Sequence, residues 1–194
     1  MNSSKTLSLL LFVLFAAQNL FAQDDVKKPS PLRFLVVAGM EFGGDPVAEV
    51  YFTDGKTQSV RAGQGVSLAI GGQFQVPKAE KLLFRATVGY KYVTTAADNA
   101  HIRLTRVPIN LTANWMALKN LRLGAGIANQ QNIQFKADGL GQDAKLKSNT
   151  GPVFELAYHG VGLTYTAMNY KDQQNANYSA NAFGLSFSTT ISKK

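Results

Sequence analysis

From Arg33 onward the dominant hydrophobic period is two, and the face opposite the apolar one carries charge. Val66, Leu68, Ile70, Phe74 and Val76 alternate with Ser67, Ala69, Gly71, Gln73 and Gln75. Leu82, Phe84, Ala86, Val88, Tyr90 and Tyr92 stand against Arg85, Thr87, Gly89 and Lys91, with Leu83 alone out of step. Val107, Ile109, Leu111, Ala113 and Trp115 are set against Arg106, Pro108, Asn110, Thr112 and Asn114. Phe183, Leu185, Phe187, Thr189 and Ile191 are set against Gly184, Ser186, Ser188 and Thr190. Successive side chains of a β-strand point to opposite faces, so this period predicts strands. Weaker alternation over 34–42, 121–135, 153–158 and 161–170 predicts four more. Asn129, Gln131 and Asn132 make the far half of the 121–135 strand polar on both sides. Pro108 lacks a ladder donor and predicts a bulge or kink within its strand.

The connections carry a second pattern. Three are short, at 77–81, 117–120 and 159–160. They alternate with longer polar ones at 44–63, 96–101, 137–149 and 171–181, the first with an Asp54-Gly55 hairpin tip. Transmembrane barrels combine short turns at one end with long loops at the other. The expected fold is therefore all-β, an eight-stranded antiparallel up-and-down transmembrane β-barrel.

Segment 1–22 reads as an export signal. Lys5 supplies a positive start, residues 7–17 an apolar stretch, and Leu20-Phe21-Ala22 a cleavage pattern that puts the cut after about Ala22. Residues 23–32 read as a disordered leader and 33–192 as the barrel domain. Beyond residue 22 no apolar run reaches the roughly 20 residues of a spanning helix, so only a closed barrel can cross a bilayer. The sequence has no cysteine, which excludes disulfide staples and lipid attachment through a cysteine. Its formal charge of +8, one unit of it from Lys5, is scattered along the strands without clustered stacking aromatics. That argues against nucleic acid and toward lipopolysaccharide phosphates or an acidic partner.

Glu41, Arg85, Lys91, Arg106, Arg122 and Glu155 share parity with the Gly, Ser, Thr, Asn and Gln residues. A soluble lipocalin-like barrel in the periplasm would turn its charges outward. Together, the export signal and loop alternation favour charges enclosed in the lumen and apolar residues facing lipid. Phe34, Trp115 and Tyr158 near one set of strand ends, and Phe42, Tyr92 and Phe183 near the other, are expected as interfacial aromatic girdles.

The strand Arg106-Val107-Pro108-Ile109-Asn110-Leu111, the strand Leu123-Gly124-Ala125-Gly126 and the closing Phe183-Gly184-Leu185-Ser186-Phe187 resemble the small outer-membrane protein β-barrel family, the group of OmpX-like and OmpA-transmembrane-domain-like barrels. The resemblance spans about residues 33–192 and implies residence in a bacterial outer membrane.

Eight strands enclose a lumen about wide enough for side chains to fill, so a filled polar lumen is expected. Strand direction sorts the charges into an upper layer of Glu41, Lys91 and Arg106 and a lower layer of Glu155, Arg85 and Arg122. Each glutamate is expected to pair with its layer's bases, because an unpaired buried charge is costly.

Catalytic chemistry finds little material. Some barrels of this kind modify lipid A, but the two histidines, His101 near Asp98 and His159 four residues beyond Glu155, have no adjacent nucleophile in a recognisable motif. Gly71-Gly72 and Gly124-Ala125-Gly126 precede no helix and do not read as phosphate loops. Asp138, Asp143 and Asp172 match no metal-ligand spacing. No catalytic, metal or cofactor site is expected. The expected function is a non-enzymatic integral barrel whose outer loops meet lipopolysaccharide or a surface or envelope protein. The alternatives are a small-solute channel, a lipid A-modifying barrel and the soluble lipocalin-like barrel.

Overall fold

The computed structural model describes residues 30–51, 57–95, 102–139 and 141–191. The export signal, most of the leader, the Asp54-Gly55 tip, the 96–101 loop with His101, and residues 192–194 lie outside the described residues. The described strands are β1 (Leu32–Phe42), β2 (Pro46–Tyr51), β3 (Thr57–Arg61), β4 (Gly65–Gln75), β5 (Leu82–Thr94), β6 (Arg103–Met116), β7 (Leu121–Lys136), β8 (Ala144–Ser148), β9 (Gly151–Tyr158), β10 (Val161–Thr166), β11 (Asn169–Lys171), β12 (Asn177–Ser179) and β13 (Ala182–Ile191).

Eight of them close a barrel in the order β1, β4, β5, β6, β7, β9, β10, β13. Every pairing is antiparallel, and β13 returns to β1 with a register running from Phe34 opposite Ile191 to Phe42 opposite Phe183. Each wall strand pairs with its neighbours in the chain order of the barrel, which makes the topology up-and-down. The expected eight strands correspond to these eight. The 161–170 strand is interrupted after Thr166, and its continuation is the separate short β11.

Short turns close one end of the barrel, the turn end. Between β9 and β10, His159 and Gly160 have φ of 49° and 85°, the left-handed pair that matches hairpin twist. Glycine is required at the second position on steric grounds as well, since a Cβ there would sit 2.6 Å from the Ser188 carbonyl oxygen.

At the opposite end, the loop end, the predicted loops contain further strand structure. β2 and β3 pair as a hairpin, and β7 continues past the wall to pair with β8, Ile133 opposite Leu146. β8 pairs with β11, and β11 with β12. The Asp45 N–H donates to the Ser179 carbonyl at 2.7 Å and the Ser179 N–H to Asp45 Oδ2 at 2.7 Å, tying β12 to the start of β2. The strand through Pro108 is continuous. The register shift falls between Thr105 and Val107, and the extra residue sits on the partner strand, where Asn132 has φ 50°. This bulge turns β7 from the barrel wall into the loop-end extension.

Inward positions follow the predicted parity. Leu83, out of step in the sequence, points into the lumen and is 3% exposed. Across the loop end, Val60, Val93, Ile102, Leu104, Ile133, Leu146, Met168 and Tyr170 form one buried apolar cluster. The polar filling of the lumen is thus bounded above by an apolar cap. Alternation alone does not announce that cap, because on β5, β6 and β11 its residues share parity with the polar ones below them, and on β7 the bulge reverses the parity before Ile133.

Candidate functional site

Two charged layers lie in the lumen. Toward the turn end, Glu155 on β9 faces β5 and β7. Its Oε2 accepts from Arg122 Nη2 at 2.7 Å and from Arg85 Nη1 at 3.2 Å, and its Oε1 accepts from Ser186 Oγ at 2.8 Å. Room for this arrangement comes from Gly162, where a Cβ would lie 2.8 Å from Glu155 Oε1 and 2.5 Å from Ser186 Oγ. Arg33, opposite Gln73, which is itself opposite Arg85, adds a third guanidinium to this end of the lumen.

Higher up, Lys91 Nζ lies 2.5 Å from Glu41 Oε2 and donates to the Gly63 carbonyl at 2.7 Å. Arg106, fully buried, donates from Nη2 to the Gln64 carbonyl and lies within electrostatic reach of Glu41. Tyr170 closes this layer from above, donating its hydroxyl to Gln130 Oε1. The structure therefore brings Glu41 to Lys91 and Glu155 to Arg85 and Arg122, while Arg106 takes a backbone carbonyl as its direct partner. Gln130, Tyr170, Ser186 and the Gly63-Gln64 carbonyls complete the layers. Backbone acceptors leave no sequence signal, but Gln130 and Ser186 share the inward parity.

Between the layers lies a cavity of about 110 Å³, lined by Ser67, Thr87, Asn110, Thr112, Thr164 and Thr166 among others, with Glu41 above and Arg85 and Glu155 below. It is large enough for several water molecules and offers hydroxyl and amide partners for them.

The six aromatic residues expected at the strand ends all lie on the outward face. Phe34, Trp115 and Tyr158 are exposed toward the turn end, and Phe42 and Phe183 stand opposite one another toward the loop end. Tyr92 is half-buried, opposite Val66 and Thr105. Tyr165, not anticipated, packs on Phe183 with ring centroids 4.7 Å apart.

His159 sits exposed in the β9–β10 turn with its ring against Tyr158 at 4.5 Å. Asp143 accepts from Lys136 Nζ at 2.8 Å and from the Ala137 N–H at 2.9 Å. These bonds hold its carboxyl below the ordinary aspartate range. Asp172 caps its own loop: Oδ1 accepts from the N–H groups of Gln174 and Ala176, and Oδ2 from the Tyr178 hydroxyl. Burial, with the Asp172 charge next, pushes the Tyr178 hydroxyl up. Asp138 adopts φ 52° in the loop after β7. Among the described residues no three potential metal ligands cluster.

No protein-family model matches the chain, and no curated protein does. Among solved structures it is similar to neisserial surface protein A, with 12% identity and a TM-score of 0.42, covering 83% of this chain and 99% of that one. It is also similar to Ail, the attachment invasion locus protein of Yersinia pestis, solved in complex with the heparin analogue sucrose octasulfate. There the identity is 8% and the TM-score 0.43, over 81% of this chain and 97% of that one.

Proposed function

We propose that this protein is an exported, non-enzymatic integral barrel of a bacterial outer membrane, closed to solute passage, whose loop end faces outward and meets envelope or surface partners. One observation carries the reading: the polarity of the barrel is inverted relative to a soluble protein. Leu68, Ile70, Val88, Leu111, Ile127, Leu163 and Leu185 lie exposed on the outer wall, whereas Arg85, Lys91, Arg106 and Arg122 are buried inside it. Among the described residues, no acidic or basic side chain points outward between Leu82 and Tyr92 on β5 or between Val66 and Phe74 on β4. From Leu82 to Tyr92 the strand climbs roughly 25 Å, at ~3.3 Å per residue and a tilt of ~40°, which is the height of a barrel's lipid-facing band. An apolar surface that wraps the whole circumference far exceeds the patches a soluble monomer exposes.

In this reading 1–22 is a signal removed after about Ala22, 23–32 is a leader, and the aromatic residues at both rims of the band act as interfacial girdles. Lipopolysaccharide and lipid are the first partners, a surface or envelope protein a further one, with no nucleic acid and no cofactor. Cell fractionation combined with heat-modifiability on gels tests membrane residence and barrel closure together. The protein is expected in the outer-membrane fraction and to migrate faster unheated than boiled. A chain that stays soluble without detergent ends the proposal.

A further inference from the structure

The loop-end extension carries a group of lysines that the lumen does not use. β8 alternates Lys145, Leu146, Lys147, and β11 alternates Asn169, Tyr170, Lys171. Leu146 and Tyr170 are buried in the cap, so all three lysines point to the outside of the wall. The register sets Lys171 directly opposite Lys147. Like charges in directly opposed positions destabilise a sheet, so this pairing is unfavourable for the isolated fold. Asp172, the carboxylate that borders the same groove, is turned into its own loop and occupied there. Asn149 and Asn169 complete the floor. Asn149 Oδ1 accepts the Asn169 N–H at 2.7 Å, which leaves the Asn149 NH₂ as an outward donor. The surface thus combines three cations and amide donors, while its two bordering carboxylates are already engaged, Asp172 within its own loop and Asp143, beside Lys145, by Lys136.

Its height decides the occupant. Ile127 is the last outward apolar residue of β7, and the register sets Lys145 opposite Gln134, Gln134 opposite Thr105, and Thr105 opposite Tyr92, the aromatic at the loop-end rim of the apolar band. A lysine can lay its aliphatic stem along an apolar wall and hold its ammonium at the polar interface. All three lysines stand on the outer face of the wall, the side that neighbouring lipid adjoins in the membrane reading. We propose that the outer wall of β8 and β11, through Lys145, Lys147 and Lys171, binds the phosphate groups of a phosphorylated glycolipid of the outer leaflet. The proposal rests on the membrane reading above and adds the site and the recognised group.

The test uses the folded chain in phosphatidylcholine nanodiscs, titrated with bisphosphorylated lipid A, with the same lipid dephosphorylated, and with inositol hexaphosphate as a soluble polyanion. Apparent affinity is read from the rise in the thermal midpoint at which the fast-migrating gel band is lost. The bisphosphorylated lipid is expected to raise the midpoint more than either control. The combination Lys145→Gln, Lys147→Gln and Lys171→Gln is expected to weaken the response about fivefold per lysine. The turn-end combination Lys78→Gln, Lys81→Gln and Lys119→Gln is expected to leave it unchanged. An equal response to the dephosphorylated lipid, or from the loop-end variant, overturns the site. A stronger response to inositol hexaphosphate overturns the lipid as its source. Each variant must first show the fast-migrating band. A chain that never yields that band fails the membrane reading, whereas a closed barrel that does not discriminate among the lipids fails this site alone.

Discussion

Glu155 holds two guanidinium groups that have no other carboxylate partner among the described residues. Its side chain is 11% exposed, and those of Arg85 and Arg122 are 6% and 10% exposed, so all three have given up most of their hydration. Deleting one partner from such a group costs more than the pair contributes, because the remaining charges stay buried and repel each other. Glu155→Ala is therefore expected to destabilise the barrel by about 3 kcal/mol, read from the urea midpoint of the fast-migrating gel band in detergent. Glu155→Gln, which keeps an acceptor for Ser186, is expected to cost less. An unchanged midpoint for the alanine variant would mean that water has taken over the role of the carboxylate. Parity and strand direction were enough to bring Glu155 to its two arginines from the sequence. They also brought Glu41 to Lys91. They did not find the direct partner of Arg106, the Gln64 carbonyl, because backbone acceptors have no residue type to read.

Among the described residues, five long cations in two layers of an eight-stranded cylinder leave little volume for other large side chains at their levels. Many of the inward positions beside them are accordingly Gly, Ala, Ser or Thr, and the strands come close at several of the glycines. At Gly126 on β7 a Cβ would lie 2.0 Å from the Leu111 carbonyl oxygen of β6, a backbone atom with no freedom to retreat. At Gly72, on the outward face of β4, the nearest atom would be a Leu32 methyl at 3.6 Å. Gly126→Ala is expected to lower stability by about 1–3 kcal/mol through strand displacement, and Gly72→Ala to be nearly neutral, in the same urea assay. Long elements of this kind were legible because period-two alternation persists over many residues. The short β8 and β12 were not, since three to five residues inside a polar loop carry too little pattern, and β11 was legible only as the end of the 161–170 strand. Lys145 and Lys147 show their shared parity in the sequence, but their meeting with Lys171 depends on β11 pairing with β8. Only the folded register supplies that pairing.

In the proposed closed barrel, the obstruction to passage is a property of the whole molecule, built from layers of different chemistry. Leu104, Ile133, Met168 and Tyr170, none more than 2% exposed, fill the loop end. Beneath them the Lys91–Glu41 pair and Arg106 occupy the next level, then the cavity of about 110 Å³, then Glu155 with its two arginines. An ion entering from the turn end meets polar groups that could replace part of its hydration, and a cavity that could hold it. The cap above offers neither. Dehydrating an ion against packed apolar side chains costs far more than the charged layers return, so the cap sets the barrier even if the salt bridges open transiently. The expected result in a planar bilayer is current indistinguishable from the bare membrane at either polarity, from material that shows the fast-migrating band. Discrete conductance steps would require the β8, β11 and β12 extension to swing aside as a unit. The small-solute channel would then replace the closed barrel as the function.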